Sequence, residues 1–127
     1  MIFEHLAQSD PGPILFHCSA GKDSTGVVSM LLLALAGCDA ATVAYEYALN
    51  DLDIEWRASA VQRLMAQPGR SGNVDSATNV VRARSEYMSA TLEMLQRDFG
   101  GVRAYLEDHL QLSSEVIGAV RVNLLES

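Results

Sequence analysis

Ile14-Leu-Phe-His-Cys18-Ser-Ala-Gly-Lys-Asp-Ser24-Thr-Gly26, continued by Val27-Val-Ser-Met-Leu-Leu-Leu-Ala-Leu-Ala36, decides how the rest of the chain is read. Ile14, Leu15 and Phe16 form a short unbroken apolar run. It is bounded by the turn Asp10-Pro11-Gly12-Pro13 and by a loop of small residues, which is the pattern of a buried strand. Thr25 to Ala36 is apolar on every face and is expected to be a fully buried helix, stopped by Gly37. Strand, glycine-containing loop and helix N-terminus in that order bring backbone N–H groups together on an anion, and the helix dipole adds positive potential. A cysteine at the entrance of such a loop ionises easily, because its thiol pKa falls from ~8.5 to somewhere between ~3.5 and ~7.5 there. Cys18 is therefore a candidate nucleophile. Read without its neighbours it is more often a small buried residue at a strand end.

Outward from the loop, nearly everything reads as helix. Phe3, Leu6 and Ala7 suggest a short lead-in helix that the prolines at 11 and 13 end. Asp39 is a candidate N-cap for a helix to about Leu49 with Val43 and Tyr47 inward. Asp53 caps the next, where Ile54, Ala58, Val61 and Met65 hold helical spacing until Pro68. Pro68 to Asn79 is rich in Gly, Ser, Asn and Asp and reads as a surface loop. Met88, Leu92, Leu95 and Phe99 make the stripe of a longer helix ended by Gly100-Gly101. Val102 to about His109 is a short helix, and Ser113 caps a last one with Val116, Ile117, Val120 and Leu124 inward. The fold expected is one short buried strand, a phosphate-binding loop and about six helices. A lone strand has no ladder partner, so Ile14 to His17 predicts either a homo-oligomer or a fragment that needs a strand from elsewhere.

The bulk properties narrow the function. With 127 residues, 49% of them hydrophobic and 20% charged, the sequence suits one domain spanning 1–127. A net charge of −7 with nine scattered basic residues argues against nucleic-acid binding and anionic lipid. The run from Val27 to Ala36 is far short of the ~20 residues a membrane span needs. The N-terminal MIFEHLAQSDPGP lacks the basic start and apolar core of a signal peptide. Cys18 and Cys38 make neither a disulfide framework nor a zinc spacing, so a cytoplasmic, metal-free and cofactor-free protein is expected.

His17-Cys18-Ser19-Ala20-Gly21-Lys22-Asp23-Ser24-Thr25-Gly26 resembles the signature loop of the protein tyrosine phosphatases, HCxxGxxR[ST]G, and in particular the fungal and bacterial branch with HCxAGKDRTG. Leu31 to Asn50, LLLALAGCDAATVAYEYALN, resembles that branch's buried helix and the one after it, and Tyr87 to Glu126 resembles its C-terminal helices. The resemblance implies an α/β fold of which this chain is the C-terminal, catalytic-loop and helical portion. It implies hydrolysis of phosphorylated proteins or phosphoinositides through a phosphocysteine. Cys18 would then attack phosphorus, and the loop from Ser19 through Ala20, Gly21, Lys22, Asp23 and Ser24 would hold the phosphoryl oxygens. Thr25 would assist the thiolate, Asp23 would be the general acid and later base, Lys22 would add positive charge, and His17 and Gly26 would support the loop. The bland alternatives are a solvated Lys22-Asp23 pair, a capping Thr25 and a satisfied core His17.

Two departures accompany the resemblance. The family's arginine is Ser24 here, and a hydroxyl replaces neither the two parallel hydrogen bonds nor the fixed charge of a guanidinium. Weak catalysis at best is expected. The family's N-terminal half, which supplies most of the sheet, has no counterpart in this sequence. Two other readings stay open: a phosphate-binding or dimerising helical module without turnover, and an ATP pyrophosphatase, whose SGGxDS loop Ser19 to Ser24 also resembles and in which a serine is expected.

Overall fold

A computed structural model describes residues 2–67 and 73–126, and these are arranged almost wholly as helices. The helices are α1 (Ile2–Leu6), α2 (Asp23–Ala36), α3 (Ala40–Ala48), α4 (Ile54–Met65), α5 (Val74–Val81), α6 (Ser85–Phe99), α7 (Val102–Ala104) and α8 (Ser114–Leu125). A 3-10 turn, Leu49–Leu52, follows α3, and α7 runs directly into a π-helical turn, Tyr105–His109.

Side-chain caps set half of the α-helix starts. Asp39 accepts from the Thr42 amide, Asp53 from Trp56 and Ser113 from Val116, so each replaces a partner that the first turn of a helix lacks. Gly37 and Gly100 close α2 and α6. At the other end of the molecule Asn123 of α8 donates to the carbonyls of Leu6 and Gln8, at 2.7 and 2.8 Å, which fixes the end of α1.

The core lies between α2, α3, α6 and α8, with α1 laid along α8. Met30 and Leu31 of α2, Val43 and Tyr47 of α3, Met88 and Leu95 of α6, and Ile117 and Val120 of α8 meet there, with Leu106 of the π turn fully enclosed. Burying each such side chain stabilises the fold by roughly 1.5–3 kcal/mol before chain entropy is counted. α4 and α5 stand apart and pack mainly on each other.

Several expectations are corrected. Ile14 to Phe16 has no regular secondary structure, no strand exists among the described residues, and Leu15 is 90% exposed. The physical reason is the one that made the segment suspect: nothing here offers its backbone a ladder. α2 starts at Asp23, two residues early. It is not buried all round either, because only Gly26, Met30, Leu31 and Leu35 are enclosed and Val27 faces outward. None of the inward stripe expected of α4 is buried, and Ile54 lies open to solvent. Within the loop expected from Pro68 to Asn79, residues 68–72 lie outside the described residues, while 74–81 are helical. Asn73 caps that helix by accepting from the Ser76 amide, and Ala77 and Val81, four apart, face inward. No helix among the described residues is long and apolar enough to cross a membrane.

Candidate functional site

The loop 17–22 enters α2 without a side-chain cap. Lys22 occupies the N-cap position, and the first bond of the helix runs from the Gly26 amide to the Lys22 carbonyl at 2.8 Å. The amides of Asp23, Ser24 and Thr25 come before that bond, which is where a helix presents free donors. Gly21 turns the chain at φ +69° with open space around its Cα, so it supplies conformation rather than room.

Of these amides that of Thr25 acts on Cys18. Its thiol pKa is lowered to about 6, first by the Thr25 hydroxyl and then by the Thr25 amide; desolvation opposes the shift, and the amides of Ala20 and Gly21 add to it. Thr25 Oγ1 is buried and makes no closed hydrogen bond, so its proton is free to turn toward the sulfur. A thiolate at neutral pH follows. It sits beside a helix N-terminus, the same surroundings that favour a phosphate.

Lys22 is the one buried charged residue among those described. A buried ammonium needs partners, and Nζ donates to Asp23 Oδ1 at 2.7 Å and to the Arg82 carbonyl at 3.4 Å. Asp23 opens α2 with most of its side chain in solvent, next to the exposed Ser24. Lys22 and Asp23 thus pair with each other, yet the lysine is not the solvated group that its sequence neighbours suggest. His17 is exposed, and its Nδ1 stands 3.3 Å from the Cys18 carbonyl, so it is not a core histidine. It is not among the groups that lower the thiol pKa.

Of the clefts that adjoin the loop, two include Asp23. Ser24 and Asp23 edge one, with Val27, Tyr47, Tyr87 and Thr91. Ser19, Ala20, Lys22 and Asp23 edge the other, about 330 Å³, whose far wall is Trp56, Ala60, Arg63 and Leu64 of α4 with Val80 and Val81 of α5. Among the described residues no three His, Cys, Asp or Glu side chains group as a metal site.

The structure therefore gathers Cys18, Ser19, Ala20, Gly21, Lys22, Asp23, Ser24 and Thr25 at one point and adds residues that sequence reading missed. Trp56, Ala60 and Arg63 share a helical stripe that could have flagged them. Asp51 carries no such signal: its carboxylate accepts from the Ala83 amide at 2.7 Å and from Arg82 Nε at 2.5 Å, far along the chain.

Residues 1–126 match the tyrosine phosphatase family. A tyrosine-protein phosphatase of Nostoc commune is 31% identical over 126 residues, which are 97% of this chain and 42% of that protein. The triple specificity protein phosphatase PtpB of Mycobacterium tuberculosis is 25% identical over 105 residues, 76% of this chain and 38% of its own length. The chain thus spans about two fifths of the length of these curated relatives. No solved structure matches it.

Proposed function

Because the chain belongs to the tyrosine phosphatase family, we propose that it carries a cysteine phosphatase site for phosphomonoesters, weakened by Ser24. The observation that supports this most is the convergence of the Thr25 hydroxyl and the Ala20, Gly21 and Thr25 amides on a Cys18 thiol whose pKa is about 6.

In the proposed reaction the Cys18 thiolate attacks phosphorus, and the P–O bond to the leaving group breaks. Asp23 delivers a proton to the departing oxygen, and the phosphoryl group rests on Sγ. Water then attacks phosphorus and gives its proton to Asp23, the S–P bond breaks, and the Thr25 hydroxyl stabilises the returning thiolate. The amides of the loop and of the first turn of α2 hold the equatorial oxygens throughout, and Lys22 adds positive potential. Proteins or lipids bearing a phosphate are the substrates proposed. Where a strand partner exists, exposed Ile14 and Leu15 are the residues it would cover.

Ser24 favours a second reading, a site that holds phosphate and turns over little. One donor aimed at transition-state charge is worth about 10²–10³ in rate, and an arginine on a transferring phosphoryl group up to about 10⁵. The pyrophosphatase reading gains no support from the comparisons, which point to the tyrosine phosphatase family.

Turnover of p-nitrophenyl phosphate by this chain, Ser24→Arg and Cys18→Ser separates the readings. Activity that rises with Ser24→Arg and disappears with Cys18→Ser supports the phosphatase. Phosphate binding with no turnover in any of the three favours the binding site.

A further inference from the structure

Asp51 lies on the 3-10 turn after α3 and its side chain is 15% exposed. It is linked to the loop through Arg82. Oδ1 accepts the Ala83 amide at 2.7 Å, Oδ2 accepts Arg82 Nε, and Arg57 stands 3.9 Å away as a second cation. Burial acts to raise its pKa, but the Ala83 amide, the Arg82 hydrogen bond and the two guanidinium charges outweigh it and hold the carboxyl below its usual range. Residues 82 and 83 link α5 to α6, and Ala83 is almost fully enclosed. The carbonyl of Arg82, fixed by this grip, is the one that receives Lys22 Nζ.

We propose that Asp51 is a positioning residue for the loop: it clamps Arg82 and Ala83 so that the Arg82 carbonyl and Asp23 together hold the Lys22 ammonium in place at the junction of the loop and α2. Two groups on Lys22 are needed because one alone leaves the ammonium free to swing. Asp23 is mostly exposed, whereas the Arg82 carbonyl is tied to the body of the molecule through Asp51. The consequence for phosphate rests on the function proposed above; the restraint on Lys22 does not.

Lys22 is the only lysine in the sequence, so its amine can be followed by itself. The measurements are the rate of Lys22 acetylation by acetic anhydride, protection of Cys18 from iodoacetate by inorganic phosphate, and the pH midpoint of that alkylation. Asp51→Ala is expected to speed acetylation several-fold and to weaken phosphate protection by about tenfold, the scale of one charge-assisted hydrogen bond. It should leave the alkylation midpoint near pH 6, since Thr25 and the loop amides set that value. Lys22→Ala should weaken protection as well, and adding Asp51→Ala to it should cost nothing further. The isosteric Asp51→Asn, which keeps an oxygen for the Ala83 amide, carries the test if the alanine variant fails to fold, with a smaller shift in the same direction. Acetylation unchanged in both variants overturns the proposal, as do losses that simply add in the double variant. Faster acetylation in a protein that phosphate never protects upholds the restraint on Lys22 and removes the phosphate site instead.

Discussion

The ring of Tyr47 fills the space that a side chain on Gly26 would need: a Cβ built there stands 2.8 Å from both Cδ2 and Cε2. α3 thereby sets how the first turn of α2, and the loop before it, sits in the molecule. Gly26→Ala must displace either a buried ring or the helix start, and overpacking of this kind costs about 1–3 kcal/mol. A fall of several degrees in Tm by circular dichroism is expected, with weaker phosphate protection of Cys18. An alanine variant as stable as the parent would mean the two helices do not meet this closely.

The Cys18 thiol has a lowered pKa, so its thiolate persists above about pH 6 and is lost as pH falls through that value. Alkylation by iodoacetate is expected to rise across pH 5–7 and level off above. Thr25 is the largest cause, so Thr25→Ala should move the midpoint upward, toward the ~8.5 of an ordinary thiol. Thr25→Ser keeps the hydroxyl and should hold it near the parent value. A midpoint unaffected by the loss of Thr25 would leave the loop amides as the cause.

What the sequence made legible follows the reach of the interactions involved. Asp39, Asp53 and Ser113 were readable as caps because each bonds an amide three residues on, within any local window. The stretch from His17 to Gly26 carried the family resemblance for the same reason, since its residues are contiguous. α5 was missed because its cap, Asn73, sits among residues whose composition favours a loop, and two inward positions make a short signal. The strand was over-read, since an apolar run such as Ile14 to Phe16 records what a segment wants to bury and not whether a partner is present. Asp51 with Arg82 was out of reach altogether: neither residue is unusual locally, and only the fold joins them.

The missed helix gives its own test. Replacing Asn73 by alanine removes the acceptor for the Ser76 amide at 2.8 Å, and losing an N-cap costs about 1 kcal/mol. Amide exchange at residues 76–78 should quicken while that of α6 and α8 stays the same, since α5 packs mainly on α4. Uniformly unchanged exchange would restore the loop expected from composition.

Ser24→Arg is expected to tighten inorganic phosphate, whatever happens to turnover. A hydrogen bond to a charged group is worth about 1.5–3 kcal/mol, which is roughly tenfold to a hundredfold in affinity. The readout is the phosphate concentration that halves Cys18 alkylation. Ser24→Lys, which brings charge without the planar fork, should recover less. Equal gains from lysine and arginine would mean that charge alone is missing at this position.

Trp56, the sequence's one tryptophan, borders both the cleft it shares with Arg63 and a second one beside Glu46 and Asp53, and Ala20 and Lys22 edge each of them. A phosphoester held in the loop has its leaving group directed out of the loop, and Trp56 is the aromatic surface available on the α4 side. Phenyl phosphate should therefore change the fluorescence of Trp56, while inorganic phosphate, which has no leaving group, should leave it nearly unchanged. Aromatic pairs contribute about 0.5–1.5 kcal/mol beyond the area they bury, so Trp56→Ala should weaken phenyl phosphate by about twofold to twelvefold. Protection by inorganic phosphate should be untouched, because the donors around Cys18 remain. If both ligands weaken together, Trp56 supports the loop and not the leaving group; if neither does, the leaving group turns instead toward the cleft of Tyr47 and Tyr87, where Tyr87→Ala should then weaken phenyl phosphate alone.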